Sequence, residues 1–576
     1  VVEDTRSGLT RTVVTTATGA FDIRGLNVGG PYTVSVSAPG EQPTQVTDIF
    51  LNLGAPTDVN LAFSGVVGGD VVVVTASQIG AAPIAIGPAA TFSLEDLENQ
   101  PAVNRDIKDV IRLDPRIHLD FAAGGGAGSN GVQCGGQHPR FNSLTVDGVR
   151  LSDDFGLNTN GYPTERIPFS YDSISQVSVE LAPFDVQYGG FTACNINAVT
   201  KSGGNEFHGG AFFDYTDDSL YGDSTDGIAR DLGSFEEKRY GFNVGGPIIQ
   251  DRLFFFVAYE KLEGANIFGK RPEDVGITQA DYDAIVNTAV TQYGYVAGGL
   301  PTSKAVEDEK IFVKLDWNIN DRHRAAVTYT YNDGFNFSPS DDSSTQISDG
   351  NHYYERGAKA KAYTGALYSD WTDDFSTEFR VSYLDLQNRQ NPVAGTEFGE
   401  IQVNVRPTTV YLGADDSRHR NRLYYDTLTY KASGNYRVDD HTFTFGYDRQ
   451  ELEIYNLFLQ EVEGEWRFSN QAAFAAGNFN YFEYSNAVGT NDPNDAAGQF
   501  GYSVNTLYLQ DEWQITDRLN LVGGLRLEFY KTDDKPRFNQ AFLNRYGFRN
   551  DETMDGRSIL QPRLGFTYDV FDNVTL

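Results

Sequence analysis

The chain has 576 residues and a formal net charge of −34 at pH 7, which argues against a nucleic-acid partner, because neutralising phosphate takes clustered Lys and Arg. Mean hydropathy is −0.40, and no apolar run reaches the roughly 18 residues that a bilayer-spanning helix needs. The 32 Tyr and 39 Phe suit aromatic girdles at two membrane interfaces. No start Met and no secretory signal are present, so the sequence reads as a processed chain or a fragment.

Residues 1–65 predict a small β-sandwich, with strands at Arg11–Thr16, Tyr32–Ser37, Gln45–Leu51 and Asp58–Phe63. Turn glycines at 19, 25 and 29–30 punctuate them. A linker over 66–80 carries Asp70, Val71, Val72, Val73, Val74, Thr75 and Ala76. The five β-branched residues among them, 71–75, fit either an extended segment that adds to a partner's sheet or an ordinary first strand of the next domain.

Residues 77–204 predict a mixed α/β domain. Ser93 with Asp96 opens a short helix, and Asn104–Leu113 is a second, ending before Pro115. After the Gly-rich stretch 124–131 come strands at Ser143–Val146 and Ser175–Leu181. Cys134 and Cys194 are the only cysteines. An even pair in an exported protein favours a disulfide, worth roughly 4 kcal/mol for a loop of about 60 residues; two buried thiols or half a metal site are the alternatives.

From residue 205 onward, amphipathic strands of about ten residues alternate short turns with long polar loops, the pattern of an outer-membrane β-barrel. The short turns place an aromatic residue before Asp, as in Trp317–Asp321, Trp371–Asp374, Tyr436–Asp440, Trp513–Asp517 and Tyr568–Asp572. The intervening loops run to roughly 25–50 residues, far beyond hairpin length. In 519–530, Leu519, Leu521, Leu525, Leu527 and Phe529 share one face, while Asn520, Arg526 and Glu528 share the other. In lipid such strands must close into a barrel, since every backbone group needs a partner. About 13 strands are counted, an odd number without a closing partner. Thr278, Asp281, Tyr282, Ile285, Val286 and Ala289 predict one amphipathic helix in a long loop, set either on the barrel mouth or along a ligand entrance.

Three motifs make a resemblance specific. Leu144–Val149, holding Asp147 and Gly148, is similar to the plug strand-turn of TonB-dependent receptors. Tyr188-Gly189-Gly190 followed by Ile196–Gly203, with Asn197, Thr200, Lys201 and Gly203, resembles the plug's closing motif. Asn205–Gly209 then opens the first barrel strand as in the Oar-like branch. The N-terminal segment resembles the carboxypeptidase-regulatory-like domain, an immunoglobulin-like β-sandwich, with its first strand missing, and Asp70–Ala76 resembles the TonB box.

The resemblance implies an all-β-dominated chain: sandwich, linker, plug, then the N-terminal part of a transmembrane antiparallel barrel over 205–576, of about 22 strands in the family. It implies a Gram-negative outer-membrane location with the N-terminal domain in the periplasm. Expected partners are TonB, outer-membrane lipid and a ligand of peptide, glycan or metal-chelate type, with an accessory surface lipoprotein as a further candidate. Energised transport is the leading expectation. A non-energised adhesive or structural barrel, or a transporter of protein or peptide cargo, is the alternative. Outer-loop residues within 333–358 and 454–504 would make first contact.

No enzyme is predicted. Gly126–Gly131 matches GxGxxG without the flanking strand and helix. Gly264–Lys270 lacks the Ser or Thr that holds magnesium, Arg271 standing there instead, and no HExxH or nucleophile elbow occurs. No cofactor is expected. The acidic loop residues Asp341-Asp342 and Asp492–Asp495 serve solubility, bind Ca2+ or attract a basic ligand.

Overall fold

The structure is a computed structural model. It describes the chain except residues 16–18, 20, 22, 24–25, 42, 52–56, 58, 60, 62, 64–71, 76–88, 121–130, 159, 182, 184, 223, 226–227, 230–232, 517, 572–573 and 576. The N-terminal sheet has the order β2-β1-β3-β4-β5, from β1 (Val2–Asp4), β2 (Leu9–Arg11), β3 (Gly29–Val36), β4 (Thr44–Leu51) and β5 (Val72–Thr75). Alternate residues Tyr32, Val34, Val46 and Ile49 bury one face. The first predicted strand is displaced: β2 ends at Arg11, and 12–15 carry no ladder. The strand expected at Asp58–Phe63 lies partly outside the described residues, and 59, 61 and 63 carry no ladder.

The plug sheet has the order β10-β9-β12-β11-β6, from β6 (Ala89–Phe92), β9 (Ser143–Val146), β10 (Val149–Arg150), β11 (Ile174–Leu181) and β12 (Cys194–Thr200). A separate hairpin pairs β7 (Ile117–Asp120) with β8 (Gly131–Cys134). Ser93 and Asp96 cap α1 (Leu94–Asn99) reciprocally. The second helix is shorter than Asn104–Leu113. Arg105 takes a left-handed φ of 51°, which a helix cannot continue through, so α2 spans only Lys108–Ile111. Its Val110 and Ile111 are fully buried with Leu97, Phe169, Val177 and Ala198 in the plug core. Cys134 and Cys194 form a disulfide, their Cα atoms 6.0 Å apart, which joins the hairpin to β12.

The barrel wall is one 13-stranded sheet, running from His208–Asp217 to Val574–Thr575. Neighbours are antiparallel throughout, and short turns alternate with long loops. The apolar face of the wall is the exposed one: Leu564 is 67% and Phe379 56% accessible, whereas inward-facing Glu260 and Lys310 are 3% and 2%. That inverts a water-soluble barrel and matches a lipid-facing exterior. Strands are longer than the expected ten residues; Arg420–Val438, His441–Leu459 and Gly498–Thr516 each have 19. The surplus beyond a bilayer crossing continues outward into a second structure.

That second structure is built from the long loops. Three-to-six-residue strands from three of them form a sheet in the order Gln346–Ser348, Thr408–Leu412, Glu400–Val405, Glu465–Phe468, Tyr481–Glu483. Against it lie α3 (Gln279–Tyr293) and α4 (Gln471–Ala475). Tyr282, Ile285 and Ala289 of α3, Phe474 of α4, and Ile347, Val403, Val410 and Leu412 share one apolar core. The expected amphipathic helix packs on this sheet through Tyr282, Ile285 and Ala289. The stretches expected to make first contact are divided: 339–353 and 460–497 belong to this cap, while their flanks continue barrel strands.

Candidate functional site

The plug meets the wall through a seam of polar contacts. At its first point, Asp147 (φ 47°) and Gly148 (φ 77°) form the tight turn between β9 and β10, a geometry that Gly adopts without strain. A Cβ at residue 148 would collide with the Arg380 guanidinium. Asp147 accepts from the Thr200 amide at 2.9 Å and the Thr200 hydroxyl at 2.6 Å. Lys314 of the wall donates to Thr200 Oγ1 at 3.0 Å and lies 3.4 Å from Asp147 Oδ2. Two motifs 53 residues apart thus converge on one lysine.

The remaining motif residues hold the passage from plug to wall. Asn197 accepts from the Thr145 hydroxyl at 2.9 Å. The Lys201 amide donates to Ser173 O at 2.7 Å, and its ammonium is 3.8 Å from Glu98. At Gly203 an added Cβ would meet Phe255 O and, at 2.9 Å, Gly246 O, so the backbone crosses the wall where no side chain fits. Gly190 has φ 74°, and a Cβ at Gly189 would strike the Arg526 guanidinium. Arg526 Nη1 donates to Val186 O at 3.0 Å and Gln187 O at 3.3 Å. Arg563 Nη1 and Nη2 donate to Pro183 O at 3.2 Å and Tyr188 O at 2.7 Å, and Val186 N donates to Gln510 Oε1 at 3.0 Å.

A third group centres on Glu260. It accepts from Arg105 Nε at 3.3 Å and Ser170 Oγ at 3.1 Å, both from the plug, and lies 3.5 Å from Lys310. Arg105 also pairs with Asp172 at 2.7 Å. Arg356 pairs with plug Glu165 at 2.9 Å. The main apolar contact across the seam is Phe155 and Leu157 against the wall cluster of Ala358, Leu384, Leu423 and Tyr425.

On the periplasmic side, the N-terminal domain sits against the short turns. Arg11 pairs with Asp370, and Arg324 Nη1 donates to Asn27 Oδ1. The Asn205 amide donates to Arg6 O at 2.6 Å. A cavity of about 230 Å3 along this contact is lined by Thr10, Arg11, Arg322, Asp373 and Arg437 among others. Of the linker segment, Val72–Thr75 form β5, while Asp70, Val71 and Ala76 lie outside the described residues.

The sequence matches the outer membrane beta barrel domain over residues 199–267 and 285–576, the TonB-dependent receptor plug domain over 85–194 and the carboxypeptidase regulatory-like domain over 1–64. The chain belongs to the TonB-dependent outer-membrane receptors. The receptor is 26% identical over 269 residues to the TonB-dependent transporter Oar of Myxococcus xanthus, across 43% of this chain and 23% of that protein. It is 28% identical over 215 residues to the probable TonB-dependent siderophore receptor PirA of Acinetobacter baumannii, across 35% and 26%. Among solved structures it resembles the outer membrane transporter YddB from Escherichia coli (TM-score 0.56, 14% identity, 84% of this chain and 59% of that one). It also resembles PirA from A. baumannii (TM-score 0.53, 17% identity, 84% and 59%). The chain therefore spans less than two thirds of these relatives. The receptor lies in the Gram-negative outer membrane with plug and N-terminal domain on the periplasmic side, and it is not an enzyme.

In the cap of this receptor, Asp341, Asp342 and Asp492, singled out in the sequence, have protein partners. Asp342 pairs with Lys270, and Asp492 Oδ1 accepts from the Asn494 amide at 3.0 Å. Asp341, His352 and Glu400 have donor atoms within 4.8 Å of one another. His352 is fully buried, with Nδ1 3.1 Å from Gly413 O and Nε2 3.0 Å from Asp341 Oδ2. Burial works against its charge, but Asp341 and the nearby Glu400 and Asp415 carboxylates raise its pKa to about 9. An imidazolium donating from both nitrogens satisfies both oxygens. Burial pushes Glu400 up to about 8.

The seam residues Glu260, Lys310, Arg356, Arg526 and Arg563 were absent from the sequence-derived sites. Their signal was present: each is a charge on the inward face of a strand of period two. The alternation gives the face and not the partner.

Proposed function

We propose that the receptor is an energised transporter: the cap and the outer end of the plug receive a ligand, and TonB, engaging 70–76, pulls the plug until a path opens. The observation carrying this reading is the polar seam. Hydrogen bonds and ion pairs between plug and wall exchange for water at modest net cost, so a plug held this way can be shifted and reseated. The segment proposed for TonB precedes the plug directly, so that a pull there reaches β6 first. Relatives named as a TonB-dependent transporter and a siderophore receptor agree with such a role.

Binding of a peptide covering 68–80 to the periplasmic domain of TonB tests the reading. Saturable binding that a Val73→Pro change abolishes is expected, because proline cannot donate to a β ladder. A peptide without measurable affinity would shift weight to a passive, adhesive barrel.

A further inference from the structure

The segment proposed for TonB already has a partner within the receptor. β5 lies parallel to β4 and completes the N-terminal sheet, with Thr44 opposite Val72, Gln45 opposite Val73, Val46 opposite Val74 and Thr47 opposite Thr75. The pairing joins residues far apart in sequence and uses the edge of β4 not engaged by β3. Capture of an extended segment by strand addition uses its main-chain N–H and C=O groups, and a group directed at β4 cannot at the same time be directed at a second sheet.

The N-terminal domain is itself fixed to the barrel. Arg11 pairs with Asp370 and Asn27 with Arg324, while Arg6 O receives the Asn205 amide beside the plug-to-wall passage. A load applied to β5 while it remains in this sheet is therefore borne by the wall. It reaches the plug at β6 only after β5 has left β4.

We propose that the carboxypeptidase-regulatory-like domain is an inhibitory holder of the TonB-binding segment: the β4 edge keeps Val72–Thr75 from TonB, and the two sheets compete for one strand. This rests on the transporter reading above. It gives the domain a role that the plug and barrel do not supply. A four-residue parallel ladder is short and, being parallel, slightly weaker per residue than an antiparallel one, which suits a contact meant to be displaced. Two further features fit displacement. The holder's core around Tyr32, Val34, Val46 and Ile49 is carried by β3 and β4, which stay paired with each other when β5 leaves, so the domain survives the strand's departure. The contacts that anchor it to the barrel come from Arg6 between β1 and β2, Arg11 of β2 and Asn27 ahead of β3, none of them on β4 or β5, so anchoring is likewise preserved.

The test uses the intact receptor carrying Gln45→Cys with Val73→Cys. These are directly opposed residues in adjacent strands, a spacing within disulfide reach. The pair is expected to cross-link under mild oxidation, with the linked peptides identified by mass. Oxidised receptor should then bind the TonB periplasmic domain at least ~10-fold more weakly than the same protein after reduction, as follows when the competent state is rare. Wild type treated identically should show no such change, which separates the engineered bond from Cys134–Cys194. The reduced variant binding like wild type verifies that it folds. Failure to cross-link would overturn the proposal, and so would equal binding by locked and reduced receptor, which would mean that TonB adds to the outer edge of β5. Cross-linking reports the ladder without TonB, whereas the 68–80 peptide reports the TonB segment without the ladder. A cross-link together with a peptide that does not bind would therefore remove the transporter reading, and the inhibitory role with it, while leaving the pairing in place.

Discussion

The cap and the seam are both assembled from segments distant in sequence, and they are held together by opposite means. In the cap, four loops bury Ile285, Ile347, Val403, Val410, Leu412 and Phe474 in one apolar core. In the seam, plug and wall meet through Arg526, Arg563, Lys314 and Glu260, with one apolar patch at Phe155 and Leu157. Apolar burial welds loops into a body that moves as a unit, because separating it exposes greasy surface to water. Polar contacts lose little when water replaces them, unless one partner is removed and the other stays buried. The cap is built to persist and the seam to part.

The largest expected effect comes from breaking the cap's core. Phe474 is fully buried, stacked on Tyr293 at 5.2 Å and edge-on to Phe468 at 4.9 Å. Phe474→Ala should cost up to about 5 kcal/mol. Limited proteolysis should then cut within 393–419 and 460–497 and leave the wall intact. Unchanged protection would mean that the loops do not form a common core.

Next is the plug's own staple. Reducing Cys134–Cys194 opens a loop with a sequence separation of 60 and should cost the plug about 4 kcal/mol by the chain-entropy account. Hydrogen exchange in β9 and β12 reads this directly. Comparing uptake of a small and a bulky cargo with and without reductant would show whether the bridge limits how far the plug unravels; equal uptake would dismiss that idea.

Within the seam, Glu260→Ala removes the wall carboxylate that accepts from plug Arg105 and Ser170, leaves Lys310 with Asp308 alone, and should loosen the plug by about 3 kcal/mol. Glu260→Gln, which keeps acceptors for Arg105 and Ser170, should be milder. Urea-induced exposure of a cysteine placed in the plug would rank the three proteins. If Ala and Gln behave alike, the charge at this point is idle.

The smallest effect is a pH dependence confined to the cap. His352 has a raised folded pKa of about 9, so its contribution is full below its unfolded value near 6.5 and disappears as pH rises through 9. Glu400, raised from 4.5 to about 8, acts in the same direction, because the unfolded state ionises first and the penalty on the fold grows up to about pH 8 and then levels off. Exchange in 400–412, corrected for intrinsic rates, should therefore quicken from pH 6 to pH 9 while the plug's does not. A flat profile, or loss of protection at acid pH instead, would contradict the protonated pairing of His352 with Asp341.

The wall was the most legible part of the sequence, since alternation such as Leu525, Leu527 and Phe529 against Arg526 and Glu528 states both strand and face. The helix of Thr278 and Asp281 was legible too, because its capping box is local. The cap sheet was not. Gln346–Ser348 pairs in parallel with Thr409–Tyr411, and three residues cannot display a period. Nor was the parallel ladder of β4 and β5, since a β-branched run fits any sheet that offers an edge. The shortened α2 had a local cause, the left-handed Arg105, which composition does not announce.

The 19-residue wall strands set the height of the binding surface. A tilted strand crosses the hydrocarbon in about 10 residues, and at about 3.4 Å per residue the remainder rises about 20 Å farther. The cap therefore stands clear of the headgroups on a rigid collar. A large particle can reach it without touching lipid, and whatever it releases must descend a staved vestibule before meeting Phe155 and Leu157.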